Sequence, residues 1–70
     1  MYKVERLKLG TNVIANSKDC AMMFAWEFFL NDVEELSMSF IEVKRNWVSL
    51  ISSGEIPGYV KISFVEDPDQ

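Results

Sequence analysis

The chain has 70 residues, enough for one domain over 1–70 with a small core. Hydrophobic residues make up 49% and charged ones 26%, with three glycines and two prolines, which excludes an intrinsically disordered chain. Histidine is absent and Cys20 is the lone cysteine, so disulfide scaffolds, zinc fingers and Cys–His nucleophiles are excluded, and a formal net charge of −4 argues against broad phosphate binding.

Tyr2 to Leu9 reads as a strand, because Tyr2 and Val4 alternate with Lys3 and Glu5. The phase slips at Arg6-Leu7, where a bulge or a change of role is expected. Gly10-Thr11-Asn12 is a turn signal, and Val13-Ile14-Ala15 reads as a short returning strand. Asn16-Ser17 then offers an N-cap, with Asp19 in the first turn where the helix dipole favours an acid. The spacing predicts a long helix over 18–30, closed by Asn31-Asp32.

Leu36, Met38 and Phe40 alternate with Ser37 and Ser39, and Ile41 and Val43 flank Glu42, which predicts a strand over 36–43. Trp47, Leu50 and Ile51 lie at helical spacing and predict a short helix over 46–53, ended by Gly54. Pro57-Gly58 turns the chain into a last strand, in which Val60, Ile62 and Phe64 alternate with Lys61 and Ser63. Residues 66–70 form a polar tail expected to fray. The expected fold is α+β: a three- to four-stranded, largely antiparallel sheet with one long helix and one short one.

Charge is unevenly placed. The first 18 residues carry Lys3, Arg6, Lys8 and Lys18 against Glu5. Residues 19–43 carry Asp19, Glu27, Asp32, Glu34, Glu35 and Glu42 with no base. Such an acidic middle is either a solvated face or a patch that meets a basic partner. The N-terminus has no apolar signal core, and the uncharged run from Cys20 to Trp26 is too short to span a bilayer. A cytoplasmic protein without membrane contact is expected.

Catalytic constellations are lacking. Cys20 at a helix start has no histidine as base and sits beside Asp19, so it reads as a small buried hydrophobe. Glu34 and Glu35 are adjacent and would point to opposite faces of a strand. With Asp32 they lack the glycine turn and spacing of a calcium loop. Gly10, Gly54 and Gly58 are dispersed and form no phosphate loop. No enzyme activity, cofactor or metal is expected.

The long helix is apolar beyond what one sheet can cover. At about 100° per residue, Ala21, Phe24, Ala25, Phe28 and Phe29 share an arc expected to face the sheet, with Phe24 and Phe28 among the most buried residues. Met22, Met23, Trp26 and Leu30 form a second arc. Either the short helix covers that arc, or part of it stays open and binds another surface. The second reading makes Met22, Met23, Trp26 and Leu30 the anchors, with Asp19, Asp32, Glu34 and Glu35 steering them toward a basic protein surface.

One stretch carries a resemblance. Trp47-Val48-Ser49-Leu50-Ile51-Ser52-Ser53-Gly54-Glu55-Ile56-Pro57-Gly58-Tyr59 resembles the helix-to-wing junction of small winged-helix excisionases, and Val33-Glu34-Glu35 resembles the preceding helix of such domains. The resemblance covers 13 residues closely. It implies a DNA-binding accessory factor using Lys44, Arg45, Asn46 and Lys61. That surface is poor in base-reading side chains, and the strand predicted over 36–43 departs from the family pattern. The sequence therefore favours a small non-enzymatic protein-binding regulator or inhibitor, of the kind phages and mobile elements encode, acting by occupancy. The excisionase-like factor and a structural homodimer subunit are the alternatives, and nucleic acid is not the expected partner.

Overall fold

A computed structural model describes residues 1–33 and 38–66. Strand β1 (Tyr2–Arg6) turns into β2 (Thr11–Ala15), followed by helix α1 (Lys18–Asp32), helix α2 (Phe40–Ser53), the short β3 (Glu55–Ile56) and β4 (Val60–Phe64). The four strands form one antiparallel sheet in the order β2-β1-β4-β3. The α+β class, the antiparallel sheet and the two helices agree with the sequence reading.

The first and last strands lie side by side at the sheet centre, with Val4 opposite Ile62 and Tyr2 opposite Phe64. Alternation along the strands sends Val4, Val13, Ala15, Val60 and Ile62 to the helix side. It sends Lys3, Glu5, Asn12, Ile14, Lys61 and Ser63 to the opposite side, which is the solvent face. The phase slip at Arg6-Leu7 marks the end of β1 rather than a bulge. The chain turns there, with the Gly10 amide donating to the Arg6 carbonyl at 2.8 Å and Gly10 taking a φ of 71°. Strand β2 consequently begins two residues earlier than the predicted strand.

Helix α1 starts where the sequence indicates. Ser17 caps it, its Oγ accepting from the Cys20 amide at 3.2 Å. The helix crosses β1 and β4 and buries Ala21, Ala25 and Phe29. The expected rotation of this helix is corrected. Phe24 is 39% exposed and Phe28 half-buried, whereas Phe29 is 1% exposed. Alanines at the centre of contact let the backbone approach the sheet closely, and Phe29 fills the space one turn on, against Tyr59 at 5.1 Å. Cys20 is also corrected: it lies on the outward side of the first turn and is exposed.

The predicted strand over 36–43 is overturned within the described residues. Residues 40–43 are the first turn of α2, which makes that helix 14 residues long rather than 8. The Ser39 Oγ accepts from the Glu42 amide at 3.2 Å, a side-chain N-cap that fixes the helix start, and its hydroxyl donates to Glu42 Oε1 at 3.4 Å. Gly54, at φ 72°, ends the helix by donating its amide to the Leu50 carbonyl. Leu50 is the α2 side chain fully committed to the core, beside Ile56 and Val60.

Candidate protein-docking face

Helix α2 has an apolar arc wider than its contact with the core. At about 100° per residue the arc runs from Leu50 and Val43 through Trp47, Phe40 and Ile51 to Val48 and Ile41, roughly half the helix circumference, interrupted by Lys44 between Ile51 and Val48. Leu50 at one edge is buried and Val43 half-buried. The rest faces outward, with Phe40 82% and Ile41 68% exposed and Trp47, Val48 and Ile51 also exposed. A helix needs only a stripe to hold it to a core, so the remainder is surplus to folding.

Helix α1 extends this surface. Trp26 meets Trp47 edge to face, with ring centroids 5.1 Å apart, and also packs on Phe29. Beside that seam, Met23 is 65% exposed and Leu30 is exposed as well. Between the helices an open cleft of about 450 Å³ is lined by Trp26, Phe40, Val43, Lys44 and Trp47. Its walls are aromatic rings, a valine and the stem of a lysine, which suits an apolar side chain from another surface. A smaller crevice of about 250 Å³ lies nearer the sheet, with Met22, Lys18 and Ile51 among its lining residues.

The sequence-predicted anchors are therefore divided. Met23 and Leu30 stand open, Trp26 is half-buried at the helix seam, and Met22 is half-buried along the smaller crevice. Asp19 is exposed in the first turn of α1. Glu34 and Glu35 lie outside the described residues.

Asp32 sits at the end of α1 against β1, in an ion pair with Arg6. The Arg6 Nε donates to one carboxylate oxygen at 3.1 Å and Nη2 donates to the other. The Arg6 guanidinium also lies over the Phe28 ring, 4.6 Å from its centroid. The hydrogen bonds from Arg6 hold the Asp32 carboxyl below the ordinary carboxylate range, against partial burial that pushes it up, with Lys8 adding a weaker attraction. The same bonds push Arg6 up. Asp32 thus has an intramolecular partner and a structural role in tying α1 to β1.

Reasoning from sequence missed Phe40, Ile41, Trp47, Val48 and Ile51 as a surface. Two signals mark them: the Ser39-x-x-Glu42 capping pattern, and the helical spacing of Phe40, Val43, Trp47 and Leu50. Among the residues tied to the excisionase resemblance, Lys44 lines the cleft and Arg45 is exposed. Asn46 is half-buried, its Nδ2 donating to the Glu42 carbonyl at 2.9 Å. Lys61 is on the outer sheet face opposite Glu5 and Glu55.

Among the described residues, no three Asp, Glu, Cys or His side chains cluster as metal ligands would, and no helix is long and apolar enough to cross a membrane. Comparison with protein-family models, with curated proteins and with solved structures finds no match.

Proposed function

We propose that this chain is a non-enzymatic protein-binding module whose working surface is the outward face of α1 and α2. The observation that carries the reading is the exposed apolar arc of α2, Phe40, Ile41, Trp47, Val48 and Ile51, continued on α1 by Met23 and Leu30. Large exposed side chains gathered on one face are uncommon on a monomer, and aromatic residues and methionine are enriched where proteins meet. Action is by occupancy, as in a small regulator or inhibitor: the face covers a protein surface and is covered by it.

Helix α2 followed by the β3–β4 hairpin has the element order of the winged-helix resemblance. The outward side of α2 counts against reading DNA, because Ile41, Val48 and Ile51 share it with Lys44 and Arg45 and leave it poorer in hydrogen-bonding side chains than a recognition helix needs.

Photo-crosslinking in the cell that makes the protein tests the proposal. A photoreactive residue at Val48 is expected to give an adduct of discrete mass, and one at Lys61 on the outer sheet face is not. An adduct of twice the chain mass identifies a second copy, and any other discrete mass identifies a different protein. No adduct from Val48, or equal adducts from both positions, would overturn the docking reading.

A further inference from the structure

We infer that the open edge of the sheet, strand β2, pairs with β2 of a second copy of this chain, antiparallel about a two-fold axis at Val13. This surface is separate from the docking face of α1 and α2, and the inference does not rest on that reading. The sheet ends in β2 on one side and β3 on the other, and the two edges differ. Strand β3 is two residues long. Its Gly54 neighbour accepts from the Ile62 amide at 2.7 Å, so the Glu55 carbonyl points out of the sheet, where the Ser49 hydroxyl of α2 donates to it at 2.8 Å. That edge is capped by a side chain. Strand β2 is five residues long, pairs one to one with β1 without a bulge, and contains no charge and no proline. Natural sheets protect exposed edges with such features, and β2 has none of them.

The ladder fixes which backbone groups face out. The Leu7 amide donates to the Tyr59 carbonyl at 2.8 Å and the Val65 amide to the Met1 carbonyl at 2.9 Å, so odd-numbered residues of β1 bond to β4 and even-numbered ones to β2. Tyr2, Val4 and Arg6 face Ala15, Val13 and Thr11, which leaves the N–H and C=O of Asn12 and Ile14 directed away from the sheet. Among the described residues, nothing hydrogen-bonds to them.

A second β2, antiparallel about Val13, lets Asn12 of each copy exchange both backbone bonds with Ile14 of the other, over the whole strand. Centring the pair on Asn12 or Ile14 instead shortens the overlap. It also aligns like charges, because Glu5 lies opposite Asn12 and Lys3 opposite Ile14. About Val13, each outer-face row runs from Glu5 of one copy to Lys3 of the other. The outer face stays in water, Ile14 included. On the helix side, α1 starts just after β2 and ends with Asp32 bonded to Arg6, so it runs back along β2, and its flank away from α2 carries the stacked Phe24 and Phe28. Phe24, 39% exposed, then flanks the Val13 pair from each copy. All the helices lie on one side of the joined sheet, with the α1–α2 docking face still open. The outer ends are the two capped β3 strands, so the assembly closes at two copies.

Amide exchange on the wild-type chain tests the pairing without any variant. Sedimentation equilibrium from about 1 to 500 µM should show the chain reaching twice its 8.1 kDa monomer mass. Over the same range the Asn12 and Ile14 amides should slow by about tenfold or more, while Thr11, Val13 and Ala15, already bonded to β1, change little. Asn12→Pro removes an outward donor and leaves the ladder to β1 intact, so it should be folded by circular dichroism and monomeric throughout. In a Cys20→Ser background, Val13→Cys should form a disulfide-linked dimer with oxidised glutathione, because facing residues at the axis lie about 4.5 Å apart between Cα atoms. A wild-type chain that stays monomeric at about 500 µM overturns the inference, as does a dimer whose Asn12 and Ile14 amides exchange as fast as in the monomer or a folded Asn12→Pro that still dimerises. A dimer without the Val13→Cys link overturns the register. None of these results bears on the docking reading, which the Val48 adduct tests separately.

Discussion

Trp26 and Trp47 meet edge to face at 5.1 Å, with ring planes 77° apart, one from each helix. This contact sets the floor of the open cleft. It also fixes how the surplus apolar arc of α2 is aimed: Leu50 turns into the core, and Ile41 and Val48 turn away from it. The pair links the fold to the proposed function, because the rings that join the helices also line the surface they present.

The energetic weight of that contact is measurable. Aromatic pairs contribute about 0.5–1.5 kcal/mol beyond their area burial. A double-mutant cycle with Trp26→Ala and Trp47→Ala, followed by urea unfolding, is expected to return a coupling in that range. Purely additive effects would mean that the two rings do not support each other.

The rotation of α1 predicts opposite outcomes for neighbouring phenylalanines. Phe29→Ala removes a fully buried ring and should cost about 3–5 kcal/mol, enough to unfold a marginal domain. Phe24→Ala truncates an exposed ring and should cost about 1 kcal/mol or less. Thermal melts of the two variants check this, and equal losses would place α1 in the rotation read from sequence.

Most of the fold was legible where local signals and tertiary packing agree. The Ser17 cap, the Gly54 end of α2 and the alternation in β1 and β4 are each fixed by neighbours in sequence. Residues 40–43 look like strand in sequence because Phe40, Ile41 and Val43 flank Glu42 in a way that imitates alternation, and only the Ser39 cap on the Glu42 amide marks them as the first turn of a helix. The sequence points to α1 for the apolar surplus for a related reason. Hydrophobicity all round a helix shows that excess exists, but not which side the sheet covers. That depends on the close approach of Ala21 and Ala25, a tertiary fact. The larger excess lay on α2, hidden by reading its first turn as sheet.

The cap itself offers a check. Ser39→Ala removes the side-chain acceptor for the Glu42 amide and should cost about 1 kcal/mol by chemical denaturation. Amide exchange should quicken in the first turn of α2 and leave the Gly54 end unchanged. Unaltered exchange at residues 40–43 would contradict the capping role.

The Arg6–Asp32 pair gives the protein an acid-sensitive tie. Asp32 has a depressed folded pKa, so its contribution is fully present above the ordinary carboxylate value near 4 and is lost as pH falls through the folded value. Stability measured from pH 7 down to 2 should therefore fall less steeply below about pH 4 in Asp32→Asn than in wild type. Parallel curves would show that the carboxylate is unpaired in solution.

The central claim is that the outward face of α1 and α2 is covered when the protein works. Hydroxyl-radical footprinting measures this directly, comparing purified chain diluted to nanomolar concentration with the same chain in concentrated native extract. Met23, Phe40 and Trp47 should label readily in the dilute chain and be protected in the extract, while Ile14 on the outer sheet face labels equally in both. Equal labelling of Met23, Phe40 and Trp47 in the two samples would contradict the account.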